Sequence, residues 1–151
     1  MKIIIGSDHR GYELKEKLKK KFEKENMQFV DVGTNEVKRE DFPKFAFLVG
    51  ENMTQNSLGV LICGSGGGMV IAANKVKGAR CVMCYSEKEV IRAREHDHCN
   101  VLALASEKTS SKKAFKMIKK AMETPFLEGR YKDRIEMIQR YESGLQEHGS
   151  K

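Results

Sequence analysis

Gly59-Val60-Leu61-Ile62-Cys63-Gly64-Ser65-Gly66-Gly67-Gly68 is the stretch that decides the fold. Its first five residues are wholly apolar, as a strand covered on both faces by helices requires. The run then breaks into four glycines within five residues, and a helix follows through Lys75. Upstream, Lys2 to Ser7 reads as a strand ending in the turn-like Gly6-Ser7-Asp8-His9-Arg10-Gly11. A helix from about Tyr12 to Asn26 carries Leu14, Leu18 and Phe22 at i, i+4 and i+8, with lysines on its other face. Gln28 to Val32 is a second strand closed by Gly33, and residues 34–42 are a polar loop. Pro43 suits the first turn of a helix running to about Gln55. Downstream come a strand from Arg80 to Cys84, a helix from Ser86 to about His96, a strand from Asn100 to Leu104 and a helix from Ser110 to Met122. After Thr124-Pro125 a last helix runs from about Tyr131 to Leu145, with Ile135, Ile138 and Tyr141 on one face.

Five strands alternating with helices imply one doubly wound α/β domain with right-handed crossovers. The chain of 151 residues suits a single domain, and no linker or repeat divides it. The final helix finds little room on so small a sheet, so a second subunit is its expected docking surface. Lys plus Arg is 28 against 21 for Asp plus Glu, a net charge of +7 that suits an anionic partner. The lysines are interleaved with acids, as in Lys15-Glu16-Lys17, which reads as solvated helix faces and not as a nucleic-acid stripe. No run approaches the roughly 20 apolar residues of a membrane span. The start Met1-Lys2-Ile3-Ile4-Ile5-Gly6 lacks a signal-peptide pattern, so a cytoplasmic location and four reduced cysteines are expected.

Ligands of an open parallel sheet bind beyond the carboxyl ends of its strands. Three polar or glycine-rich segments are expected to converge on one crevice there: Ser7 to Gly11, Cys63 to Gly68 and Glu95 to Asn100. The glycine loop presents bare N–H groups just before a helix, a combination that favours negative charge. Other glycine-loop chemistries fail residue by residue. A P-loop needs Gly-Lys-Ser/Thr, and after these glycines no lysine appears until Lys75. The dinucleotide pattern wants a third glycine where Met69 stands, and a hydrolase elbow on Ser65 wants one where Cys63 stands. An anion cradle with a thiol on its rim remains.

Near a helix N-terminus the Cys63 thiol has a depressed pKa and can act as base or nucleophile; equally it can be a small buried hydrophobe. His9 and His96, in turns, suit either structural or acid–base roles. Arg130 and Arg134, one helical turn apart, form either an exposed basic face or a phosphate clamp. Cys81-x-x-Cys84 with His96-Asp97-His98-Cys99 has zinc-ligand residue types, but strand alternation sends Cys81 and Cys84 to opposite faces. No metal site is expected.

These segments, together with Asp31-Val32-Gly33-Thr34, Asp41-Phe42-Pro43, Ile71-Ala72-Ala73-Asn74-Lys75 and Gly129-Arg130, occur in an order that resembles ribose-5-phosphate isomerase type B. That family is shared with galactose-6-phosphate and allose-6-phosphate isomerases, and the resemblance covers nearly the whole chain. It implies a Rossmann-like three-layer α/β/α sandwich with a five-stranded parallel sheet, working as a homodimer or homotetramer with shared active sites and no cofactor. The implied reaction is the aldose–ketose interconversion of ribose 5-phosphate and ribulose 5-phosphate, a step of the pentose phosphate pathway, through a cis-enediolate.

By the same resemblance, Cys63 moves the proton between C1 and C2, and Ser65 with the amides of Gly64, Gly66, Gly67 and Gly68 holds the enediolate oxygen. His96 opens the sugar ring, Asp8 and His9 contact the substrate, and Arg130 and Arg134 bind its phosphate. Asp97 and Asn100 lie on the substrate side. Several positions depart from the family pattern. Phe42 replaces an aromatic hydroxyl, Asp97 an asparagine, Glu107 an arginine and Tyr131 a histidine, and His98 is also atypical. A six-carbon sugar 6-phosphate (allose or galactose 6-phosphate) is therefore an alternative substrate, and a non-catalytic phosphosugar-binding protein an alternative role.

Overall fold

The computed structural model describes residues 1–145. Strands β1 (Lys2–Ser7), β2 (Phe29–Asp31), β3 (Ser57–Cys63), β4 (Cys81–Met83) and β5 (Val101–Ala105) form one parallel sheet in the order β2-β1-β3-β5-β4. The helices are α1 (Tyr12–Lys24), α2 (Phe42–Glu51), α3 (Gly67–Ala73), α4 (Glu87–Asp97), α5 (Ser111–Glu123) and α6 (Arg130–Glu142). Strand alternation divides the core in two. Ile3, Ile5, Val60 and Ile62 pack under α1, α4 and α5, while Ile4, Leu61 and Cys63 pack under α2 and α3. This is the expected Rossmann-like α/β/α sandwich, and every residue of β3 is buried within it.

Local interactions account for where elements begin and end. Ser86 and Ser110 cap α4 and α5 by accepting the N–H groups of Glu89 and Lys113, each at 3.2 Å. Helix α3 stops at Ala73, short of the expected Lys75. There the Asn74 side chain turns to the Cys81 backbone, donating to its carbonyl (2.9 Å) and accepting its N–H (2.8 Å). Lys15 is fully buried on α1 and reaches Asp31 of β2 at 2.5 Å, with Lys19 2.8 Å from the same carboxylate oxygen. Cys81 and Cys84 enter opposite cores, as strand alternation requires. All four cysteines are free and buried, and no group of three or more His, Cys, Asp or Glu among the described residues is arranged to hold a metal. No helix among the described residues is long and apolar enough to cross a membrane.

The sheet corrects one expectation. The segment Glu95 to Asn100 leads into β5, so it lies at that strand's amino end. Val101 pairs with Gly59 at the start of β3, whereas Cys63 pairs with Ala105. Four residues of strand, about 13 Å at 3.3 Å each, separate the two levels. The three polar segments therefore do not share one crevice within a single chain.

Candidate active site

Between β1 and β3 the chain order of the strands reverses direction, and ligands of such sheets sit beyond the carboxyl ends at that point. The loops leaving both strands meet there. Asp8 is buried, and its Oδ1 accepts the N–H groups of Arg10 and Gly11, each at 3.0 Å, which closes the turn into α1. His9 Nδ1 accepts the Glu40 N–H at 3.4 Å and so faces the loop before α2.

Cys63 ends β3 with its Sγ accepting the Gly66 N–H at 3.0 Å. That bond depends on Gly66 being left-handed (φ 86°), where a Cβ would also collide with the Met83 methyl. Ser65 and Gly67 are exposed on the loop, and the Phe42 ring lies against Gly68, where a Cβ would come within 2.5 Å of it. The expected depression of the Cys63 pKa is overturned. Burial, with the Asp8 carboxylate behind it, pushes the thiol up, and the N–H groups of Gly66 and Met69 and the Arg10 guanidinium oppose this only in part.

A second group of expected residues gathers elsewhere. His96 and Asp97 occupy the last turn of α4, and with Tyr131, Arg134, Arg80 and Glu142 they line a cleft of about 630 Å³. His96 is half-buried and stacks on Tyr131. The guanidiniums of Arg130 and Arg134 lie 5.1 and 5.9 Å from the Tyr131 ring centre, and Arg130 donates to the Tyr131 hydroxyl at 3.1 Å. Cys63 and the glycine loop do not line this cleft.

Asn100 does not join it either. Its side chain accepts the Arg80 N–H at 2.7 Å and donates to the Gly78 carbonyl at 2.9 Å, bracing the entry to β4. His98 stacks on Phe126 at 4.2 Å, and burial, then Arg80 and Arg94, push its pKa down. Tyr131 is the residue that sequence reasoning missed. It stood out only as an absent histidine, and its role as a platform depends on α6 folding back over α4.

Known proteins share this fold. A sequence model of the family described as Ribose/Galactose Isomerase matches residues 3–138. The crystal structure of ribose-5-phosphate isomerase B from Mycoplasma genitalium with bound ribulose 5-phosphate superposes with a TM-score of 0.88 at 39% identity, covering 94% of this chain and 96% of that one. The type B enzyme of Clostridium thermocellum gives a TM-score of 0.90 at 33% identity over 97% of this chain and 100% of that one. Ribose-5-phosphate isomerase B of Mycolicibacterium paratuberculosis is 32% identical over 146 residues, 94% of this chain and 92% of the relative. With the family model matching residues 3–138 and solved relatives aligning over more than nine-tenths of the chain, this chain belongs to the ribose/galactose isomerase family.

Proposed function

We propose that this isomerase interconverts ribose 5-phosphate and ribulose 5-phosphate through a cis-enediolate, with Cys63 carrying the proton between C2 and C1. The observation behind this reading is the Gly66 N–H on Cys63 Sγ at the mouth of the glycine loop, which stabilises the thiolate where an anion cradle begins. The thiolate takes the proton from C2 of the open aldose. The C–H electron pair becomes the C1=C2 double bond, and the carbonyl pair moves onto O1. Loop amides and the Ser65 hydroxyl meet that oxygen as its charge develops. The O2 proton passes to O1, the Sγ proton returns to C1, and C2 closes to a carbonyl as the thiolate is regenerated. Asp8 and His9 contact the sugar from the β1 turn. The ribulose 5-phosphate bound in the Mycoplasma genitalium relative supports a pentose phosphate as the substrate.

His96 opens the furanose ring, Asp97 accepts hydrogen bonds from sugar hydroxyls, and Arg130 with Arg134 holds the phosphate. These groups lie in the other cleft of the chain, so Cys63 of one copy works with His96 and the arginines of a second. Ile138 and Tyr141, exposed on α6, supply the apolar face that joins the copies as a homodimer. The test mixes two inactive variants, Cys63→Ala and His96→Asn, after dissociation and reassociation. Each mixed dimer has one intact centre, so random pairing restores about a quarter of wild-type activity on ribose 5-phosphate. No restoration sinks the shared centre. A wild-type protein that turns over allose 6-phosphate but not ribose 5-phosphate moves the reading to six-carbon substrates.

A further inference from the structure

Arg10, in the turn after β1, lays its guanidinium against Gly64, the first residue of the glycine loop. A Cβ built on Gly64 would fall 2.3 Å from its Cζ, 2.5 Å from its Nε and 2.6 Å from its Nη1. The guanidinium thus lies flat against the residue next to Cys63, an approach that only glycine permits. Its Nη2 forms an ion pair with Glu107. The chain around that pair is fastened to the same strand end. The Glu107 N–H donates to the Gly64 carbonyl at 3.3 Å, the Ser106 N–H to the Cys63 carbonyl at 2.9 Å, and the Ser106 hydroxyl to the Arg10 carbonyl at 3.0 Å. Ordinary surface ion pairs hold two mobile side chains and contribute little. Here main-chain bonds fix both partners to the cradle. The Arg10 side chain stays 54% exposed, so the guanidinium is open to a ligand. The other cations offered to the substrate, Arg130 and Arg134, lie by the His96 cleft and leave the reacting end to Arg10.

We propose that Arg10, aimed by Glu107, is a further substrate-binding residue of this centre, its guanidinium meeting the oxygen that becomes negative on the carbons beside Cys63. The assignment rests on the isomerase reading of Cys63. Glu107 acts through Arg10 and is a positioning residue. A planar donor fork suits an enediolate oxygen better than a compact ammonium does, and a donor aimed at developing charge acts on turnover more than on affinity.

The experiment compares full-length wild type, Arg10→Ala, Glu107→Gln and Glu107→Asp by steady-state kinetics on ribose 5-phosphate. In parallel, the pH dependence of Cys63 alkylation by iodoacetamide is read by peptide mapping without sugar, and melting curves check the fold. Arg10→Ala lowers kcat about 10- to 100-fold and leaves KM within about threefold, and it raises the alkylation midpoint. Glu107→Gln lowers kcat by a smaller factor, which Glu107→Asp partly regains. An unchanged kcat in Arg10→Ala, or a loss confined to KM, overturns the proposal. If wild type converts no ribose 5-phosphate, the pentose-phosphate reading fails by itself. The alkylation arm still tests Arg10 then, because an unmoved midpoint removes its guanidinium from beside the thiol.

Discussion

The imidazole of His96 lies flat on the phenol ring of Tyr131, with ring centres 4.3 Å apart and planes within 4° of parallel. The same phenol carries Arg130 and Arg134 over it, so one side chain ties the end of α4 to the cations at the start of α6. Such pairs contribute about 0.5–1.5 kcal/mol beyond burial, so Tyr131→Ala lowers kcat/KM roughly two- to tenfold. Tyr131→Phe keeps the platform and stays near wild type. Steady-state kinetics on ribose 5-phosphate checks both, and equal damage from the two substitutions would assign the effect to the hydroxyl instead.

Cys63→Ala removes a group that acts on the reacting carbon, so kcat falls by at least the 10²- to 10⁴-fold typical of a positioned base. Affinity for ribose 5-phosphate changes little, because the glycine loop and the arginines are untouched. Calorimetric titration beside the activity assay separates the two quantities. Retained turnover would remove the thiol from the mechanism.

The thiols also make stability depend on pH. Burial pushes Cys84 up to about 12 and Cys99 up to about 11, and it raises Cys81 and Cys63 as well. Each folded value lies above the unfolded value of about 8.5. The folded protein therefore keeps protons that the unfolded chain releases. The contribution is complete below about pH 8.5 and drains as pH climbs towards the folded values. Melting temperature falls between about pH 8 and pH 10, and replacing Cys84 by alanine flattens part of that slope. A Tm indifferent to pH across that window would contradict the assignment.

Gly66→Ala forces a Cβ onto a left-handed residue and into the Met83 side chain. The backbone term alone costs about 1–2 kcal/mol. Met83→Ala relieves the clash but not the dihedral, so the double variant regains only part of the lost stability. Chemical denaturation of the three variants measures the split, and activity falls with the Gly66 N–H bond to Cys63.

Asp31 accepts from Lys15 and Lys19 and from the Gly33 N–H. These partners outweigh burial and hold its pKa below the ordinary carboxylate value. A depressed carboxylate stabilises the fold above its unfolded pKa of about 3.9 and loses that contribution as pH falls through the folded value. Asp31→Asn leaves Lys15 without this partner and costs about 3 kcal/mol at neutral pH. The variant's stability also varies less with acid below about pH 4, which urea denaturation across that range reads directly.

What the sequence made legible follows from the physics of each element. β3 announces itself because a strand covered on both faces reads as a nearly unbroken apolar run, here Gly59 to Cys63. The Leu14, Leu18 and Phe22 spacing marks α1 because one stripe must face the sheet. Asn74 and Asn100 misled for opposite reasons. Asn74 ended α3 early by bonding to Cys81, and Asn100, in a motif that suggested substrate, holds Gly78 and Arg80 with its side chain, a contact no motif announces. The larger error was geometric. Glu95 to Asn100 precedes its strand, and within one chain the amino ends of a parallel sheet lie across the sheet from the carboxyl ends, where Cys63 sits. Arg10 and Glu107 drew no role because their meaning depends on an ion pair across 97 residues of chain, made where Arg10 also approaches Gly64, which no local pattern encodes.

The glycine loop has a consequence for how such a chain changes over generations. Its donors are main-chain N–H groups, and apart from a change to proline a substitution can smother a backbone amide with a side chain but cannot delete it. Phe42 and Arg10 stand against the loop as ordinary side chains, each one substitution from something else. A change at one of these glycines therefore strikes the donors themselves, whereas a change at the rim alters only what surrounds them. A lineage can retune which sugar fits through those side chains while a bare peptide backbone goes on supplying the donors.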